Sequence, residues 1–273
     1  LAYDVSTGDF KWKFHVIPRP GEVGHETWLN DAWQTTGDVS SWAPMSADQE
    51  RGIVYIPTNP PTIDYFGGFR PGNNLFGTSV IALNAETGER VWHFQTVHND
   101  QWNYDIPNVP IIVDLDVDGR AVSAVVQTSK TGMIYAFDRE SGEPIWPIEE
   151  KPVVQTVVPG NWTAETQPIP TRPESAEPFG LPEKDVIDFT PEMHAEALEI
   201  ISRYQVGGPF MPRLYDDHST GFEDNIRCYG GLNITNPATL DPSTGILYMA
   251  SARRCSGGSV AVGIEADDPA NPR

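Results

Sequence analysis

The sequence predicts an all-β protein, a partial β-propeller interrupted by one proline-rich insertion, and three observations carry that prediction. One phrase, Ala-x-Asp/Asn-x-x-Thr/Ser-Gly-x-x-x-Trp, occurs at 2–12, 82–92 and 136–146. A second, Asp-x-x-Arg/Thr-Gly-Ile-Val/Leu-Tyr, occurs at 48–55 and again at 241–248. The 25 prolines and 24 glycines, with 39% hydrophobic residues, describe a turn-rich sheet protein rather than a helical bundle. Internal repetition of this kind marks a repeat architecture.

The chemistry of the first phrase is legible. Ala ends one strand, Asp or Asn with Thr/Ser-Gly makes the tight turn, and Trp opens the return strand with a large apolar face. Repeated hairpins of this design read as propeller blades in which each Trp packs on the neighbouring blade. Trp12, Trp92 and Trp146 stand 80 and 54 residues apart (12 to 92, then 92 to 146). The shorter interval approaches one blade, so the longer implies a blade with an insertion. That interval holds Pro18-Arg19-Pro20-Gly21, a polar and Trp-rich loop over 22–41, and a turn and strand over 51–57. Residues 1–147 are therefore expected to form blades. Leu1 falls inside a repeat and 267–273 reads as loop, so the chain is expected to be an internal piece of a longer propeller.

From 148 to 225 the pattern changes. Pro159, Pro168, Pro170, Pro173, Pro178 and Pro182 discourage regular structure. One helix is expected at about 191–205. Thr190 caps it, Pro191 suits its first position, and Met193, Ala197, Ile200, Ile201 and Tyr204 share a face. Gly207-Gly208 would end it. The insertion either shapes access to a site on the propeller face or covers that face as plain structure. Residues 226–273 then resume as a further, incomplete blade.

The 38 Asp and Glu against 18 Lys and Arg give a formal net charge of −20. Nucleic acid and anionic membranes both need clustered cations, so neither is an expected partner. No apolar run is long enough to cross a membrane as a helix, and that these residues hold no signal-peptide pattern means little for a chain expected to be an internal piece. Cys228 and Cys255 lack the spacing and His neighbours of a zinc site, and there is no C-x-x-C-H motif for haem. They either form a disulfide across a hairpin in an oxidising compartment or remain two buried thiols.

Three polar stretches are candidates for chemistry. Asp114-Leu115-Asp116-Val117-Asp118-Gly119 opens like a calcium loop, but the twelfth position, which needs Glu, is Val125. Its strand-like flanks predict a hairpin turn through Asp118-Gly119 instead. His98-Asn99-Asp100-Gln101-Trp102-Asn103-Tyr104-Asp105 directly follows a strand and packs a His, two acids and three amides beside two aromatics. Such a mix suits a ligand pocket or a hydrogen-bonded loop tip. Ser129-Lys130-Thr131-Gly132 precedes the strand 133–137, and alone its lysine reads as solvated.

The run Trp42-Ala43-Pro44-Met45-Ser46, Gly67-Gly68-Phe69-Arg70-Pro71-Gly72-Asn73-Asn74-Leu75-Phe76, 91–98 and Thr128-Ser129-Lys130-Thr131-Gly132 resembles the pyrroloquinoline quinone (PQQ) dependent dehydrogenases. These are quinoprotein alcohol and sugar dehydrogenases with an eight-bladed propeller of tryptophan-docking repeats. The resemblance covers most of 1–146 and returns from Tyr229 to Ala250.

The resemblance implies oxidation of an alcohol or sugar hydroxyl to a carbonyl, with PQQ and a divalent cation, Ca2+ or Mg2+, as cofactors. It implies a periplasmic protein and an external electron acceptor, a cytochrome or membrane quinone. Lys130 matches the cation beside the quinone oxygens, Trp42 the indole against the ring, and Ser40 a hydrogen-bonding neighbour. His98 and Asn233, the latter in a Gly-x-Asn phrase where Ile234 replaces Trp, are the remaining cofactor contacts. Asn59 resembles the amide ligand to the metal, although the usual Gly before it is missing. The glutamate ligand belongs to a preceding blade. The catalytic aspartate position is Asn103, which cannot accept a proton as a carboxylate does. Asp105, two residues on, is the expected base or metal ligand, with Asp100 behind it. The vicinal cysteines of some alcohol-oxidising members are absent. The alternative is a non-catalytic propeller that serves as a binding or assembly scaffold, for which Asn103 speaks.

Overall fold

A computed structural model describes residues 1–232 and 238–261. Four successive β units stack face to face. The first is the hairpin β1 (Ala2–Tyr3) and β2 (Phe10–Trp12). The second is a four-stranded antiparallel sheet, β3 (Ser46–Asp48), β4 (Ile53–Pro57), β5 (Ser79–Asn84) and β6 (Arg90–Gln95), in that spatial order. The third is β7 (Ile111–Val117), β8 (Arg120–Thr128) and β9 (Ile134–Asp138), extended by a bridge between Phe137 and Pro144.

The alternation of side chains along the second sheet decides the stacking. Ile53, Tyr55, Val80, Ala82, Trp92 and Phe94 point to one face and meet Val125, Tyr135 and Phe137 of the third sheet. Val54, Ile56, Ile81 and Leu83 point to the other and meet Trp12, Phe14 and Val16 behind the first hairpin. Aromatic contacts knit the larger interface, with Trp92 5.6 Å and Phe94 4.9 Å from Phe137 between ring centroids. Truncating a buried aromatic of this kind costs about 3–5 kcal/mol.

The repeated phrase folds the same way each time. Asp4, Asn84 and Asp138 each accept, through Oδ1, the amides two and three residues on. The glycine that follows lies at φ 77°, 74° and 75° respectively. Trp12 donates its indole N–H to the Ala85 carbonyl, and Trp92 donates to the Arg139 carbonyl. Each indole therefore lies on the next sheet's turn, where a Cβ on Gly88 or Gly142 would come within 2.4 Å or 2.6 Å of the ring. The expected docking is formed at Trp12 and Trp92. Trp146, half-buried, packs on the core of Val113, Ala124, Val126, Ile134 and Ala136, which Leu240, Leu247 and Met249 at the fourth unit, the hairpin Thr239–Asp241 with Ile246–Tyr248, also cover. Asp118-Gly119 is a two-residue turn at positive φ between β7 and β8, so the calcium-loop reading is excluded on geometry as well as on sequence.

The insertion is more regular than its prolines suggest. It opens with a hairpin, β10 (Ile148–Pro152) and β11 (Thr166–Pro170). The helix α1 spans Pro191–Ser202, capped by Thr190, whose hydroxyl accepts the Met193 amide. It is shorter than expected. Tyr204, placed on its apolar face by the sequence pattern, instead starts β12 (Tyr204–Gly207), and α1 buries no residue. After the short β13 (Leu214–Tyr215) comes β14 (Asp224–Leu232). β14 pairs with β12 in parallel, runs across the expected boundary at 225/226, and pairs antiparallel with Ser251–Gly257. Numbering on, the fourth unit is β15 (Thr239–Asp241) and β16 (Ile246–Tyr248), followed by β17 (Ser251–Gly257) and β18 (Ser259–Val260). Cys228 and Cys255 are register partners across β14 and β17 and form a disulfide, the first of the two alternatives.

Candidate functional site

Strand direction brings the candidate residues to one edge of the sheets. Ser40 and Trp42 lie before β3, Asn59 follows β4, 98–105 follow β6, and Lys130 sits between β8 and β9. In antiparallel neighbours these ends share an edge, opposite the Asp/Asn-Thr-Gly turns.

At that edge Lys130 Nζ donates to Asp105 Oδ2 at 2.7 Å and to Asn103 Oδ1 at 3.4 Å. Asn103, at φ 61°, donates its amide N–H to Asp64 Oδ2 at 3.3 Å. A left-handed backbone is one that Asn adopts more readily than most side chains. Burial raises the Asp64 carboxyl above its ordinary value, and the charges of Asp105 and Asp38 push the same way. Asp38 Oδ1 accepts the Ser40 hydroxyl at 3.0 Å, and the same hydroxyl is 3.0 Å from Asn59 Oδ1. Lys130, Asn103, Asp105 and Asp64 thus form one hydrogen-bonded group, and Asp38 links it electrostatically to Ser40 and Asn59.

Three expected members stand differently. Trp42 leaves 49% of its surface exposed two residues beyond Ser40. The His98 ring is bonded to Gln95 and to Glu150 of β10, and none of its hydrogen-bond partners belongs to the Lys130 group. Asn233 lies outside the described residues, although Gly231 just before it packs so closely that a Cβ there would meet the Lys130 carbonyl at 2.6 Å. Asp100, held in reserve as a base, is 2% exposed and accepts from the Trp102 amide, the Tyr104 amide and the Thr78 hydroxyl. It shapes the loop rather than facing a substrate.

Asp64 and Asp38 are neighbours of this group that sequence reading missed. The signal for Asp64 was a lone acid inside the apolar and aromatic run Ile63-Asp64-Tyr65-Phe66, where a carboxylate has no structural reason to sit. A crevice of about 570 Å³ lies between β1–β2 and the second sheet, lined by Trp12, Phe14, Val39, Ser40, Val54 and Ile81. Its walls are mainly apolar, and none of Lys130, Asn103, Asp105 and Asp64 lines it.

The donor set tests which groups fit. Carboxylate and amide oxygens are the ligands of hard divalent cations such as Ca2+ and Mg2+. Among the described residues no three His, Cys, Asp or Glu converge as an ion site, and Asp105 is already engaged by an ammonium. The cation donors are therefore a partial set. A part-buried ammonium does fit an anionic heterocycle.

Fold and site together define a propeller-type domain with a polar, part-buried residue cluster at one sheet edge. The family model described as "PQQ: glucose/ethanol/alcohol dehydrogenase, beta-propeller domain" matches residues 1–267, and the chain belongs to that family. It is 33% identical to a glycerol dehydrogenase large subunit of Gluconobacter oxydans over 90% of this chain and 33% of that protein. It is 38% identical to the quinoprotein glucose dehydrogenase of Escherichia coli over 62% of this chain and 21% of that protein. A solved quinohemoprotein alcohol dehydrogenase from Comamonas testosteroni superposes with a TM-score of 0.50 at 25% identity, over 62% of this chain and 27% of that one. The chain thus spans a third or less of the length of each of these relatives.

Proposed function

We propose that the protein to which these residues belong oxidises an alcohol or sugar hydroxyl to a carbonyl with PQQ as its cofactor. The observation that carries this reading is the convergence of Lys130, Asn103, Asp105 and Asp64 in one part-buried group at the sheet edge. The names of the relatives, glycerol and glucose dehydrogenases, support the substrate class.

When bound, PQQ supplies the two-electron acceptor for hydride from the substrate carbon, and Ca2+ or Mg2+ supplies a Lewis acid. The chain's own residues do the rest. Asp105 accepts the substrate's hydroxyl proton on its carboxylate. Lys130 holds Asp105 and Asn103 in register and offers a fixed positive charge to negative charge that develops beside it. Trp42, Ser40 and Asn233 are assigned to the cofactor and Asn59 to the cation, with Asp105 as a second cation ligand only in the alternative to its role as base. Electrons leave to an external cytochrome or membrane quinone, and the protein works in the periplasm, a placement the Cys228–Cys255 disulfide supports.

Asn103 favours a second reading, a propeller scaffold that binds without turnover. Full-length protein with PQQ and calcium, assayed for dye reduction over a panel of alcohols, polyols and aldoses, separates the two. Turnover with at least one substrate supports the dehydrogenase. Saturable PQQ binding without any turnover leaves the scaffold.

A further inference from the structure

We propose that Arg70 is a positioning residue, whose one guanidinium ties the loop carrying Asp64 to the loop carrying Asn103 and Asp105 and so sets the spacing of the acidic groups across the site. The dehydrogenase reading above supplies only the purpose of that spacing.

Arg70 is wholly excluded from solvent. Its Nη2 donates to the Ile63 carbonyl at 2.9 Å and to the Asp100 carbonyl, and its Nη1 donates to Asn74 Oδ1 at 2.9 Å. Ile63 immediately precedes Asp64, and Asp100 opens the turn that presents Asn103 and Asp105. A buried guanidinium is ordinarily matched to a carboxylate. Among the described residues Arg70 has no ion pair within 4 Å, and it is aimed at main-chain oxygens of two different loops. Bonds to carbonyls fix the path of a chain, which a bond to a flexible carboxylate would not.

The anchor is itself held. The Arg70 carbonyl accepts the side-chain amides of Asn74 at 2.9 Å and Asn99 at 3.1 Å. From the other side the Asp100 carboxylate curls 100–104 through the Trp102 and Tyr104 amides, both at 2.9 Å, and takes the Thr78 hydroxyl at 2.8 Å. That curl lets Asn103 adopt its positive φ and brings Asp105 to Lys130. Burial lowers the guanidinium pKa to about 10, with Asp100 and Asp64 opposing the fall, so the group is charged at neutral pH. Lysine at this position would keep the charge, but a single ammonium cannot reproduce the planar fork that reaches two carbonyls and an amide oxygen.

The test is hydrogen exchange, read by mass spectrometry on the full-length protein, for Arg70→Lys, Arg70→Met and Thr78→Val. In R70M the segments 60–66 and 99–105 should exchange together at least about tenfold faster, while strands 79–84 and 90–95 keep their protection. R70K should recover part of that protection. T78V, which removes only the hydroxyl bond to Asp100, should loosen 99–105 alone. With PQQ and substrate, R70M should lose about 100-fold in kcat with little change in KM, as displaced reacting groups do. Should R70M not fold, R70K and T78V decide the question, because R70K must still loosen both segments together. Wild-type protection in both segments of a folded Arg70 variant would overturn the proposal. So would an even rise in exchange across the blades, the signature of a plain fold brace. Exchange needs neither cofactor nor substrate, so a wild type without dehydrogenase activity would defeat the functional reading and leave this test standing.

Discussion

Replacing Gly142 by alanine isolates the docking of one blade on the next. Gly142 lies at φ 75° under the Trp92 ring, whose indole N–H reaches past it to the Arg139 carbonyl at 3.1 Å. An added Cβ would stand 2.6 Å from two ring atoms, closer than real Cβ contacts allow. Trp92 is 5% exposed and packed between Tyr55 and Phe137, so it cannot swing aside freely. The left-handed backbone costs a non-glycine residue about 1–2 kcal/mol. Overpacking against the indole adds about 1–3 kcal/mol. Gly142→Ala should therefore lose about 2–5 kcal/mol, summing those two costs. Gly119→Ala is the internal control: its φ is 77°, but nothing lies within 4 Å of its Cβ position. It should show the backbone cost alone, about 1–2 kcal/mol. Urea unfolding of the full-length variants, followed by tryptophan fluorescence, measures both. Equal losses at the two positions would refute the docking, because only one of them carries an indole.

Lys130→Met removes the bonds to Asp105 and Asn103, and PQQ affinity in a fluorescence titration should fall about 10–100-fold, the range for a part-buried charge-assisted contact. Unchanged affinity would separate Lys130 from the cofactor. Asp105→Asn should lower kcat by about 10²–10⁴-fold, as loss of a general base does, while PQQ still binds; near-wild-type turnover would move the base elsewhere. Asp64 has a folded-state pKa raised above the ordinary 3.8, so its folded form holds more protons than its unfolded form just above that value. Its contribution to stability is present below pH 3.8 and is lost as pH rises through the raised value. Asp64→Asn should then be more stable than wild type at pH 7 and flatten the decline above pH 4, with unfolding midpoints across pH 4–8 as the check. An Asp64→Asn protein that is less stable at pH 7 would contradict that sign.

Much of the fold was legible because the turns are built from local chemistry. Asp4, Asn84 and Asp138 bond to amides two and three residues away, so their geometry is written in consecutive residues. The same locality allowed Asp118-Gly119 to be read as a turn. Tyr204 was misplaced because its periodicity suits a helix, while the partner that draws it into a strand, Asp224, is twenty residues on. The cysteines stayed undecided for a similar reason, since only register across β14 and β17 sets Cys228 opposite Cys255. At the site, Lys130, Asn103 and Asp105 came from a resemblance, and Lys130 was found bonded to both of the others. Asp64 and Arg70 were missed, since their bonds to Asn103 and to the Asp100 carbonyl join residues 39 and 30 positions apart. His98 stands in the matching phrase, yet Gln95 and Glu150 claim both of its ring nitrogens.

The most direct test is an experimental structure of the full-length protein with PQQ and calcium bound. PQQ is expected at the sheet edge, within hydrogen-bonding distance of Lys130 Nζ and against the exposed face of Trp42. PQQ bound with saturating occupancy at any other place, with the Lys130–Asn103–Asp64 group left intact and untouched, would contradict the assignment of this site.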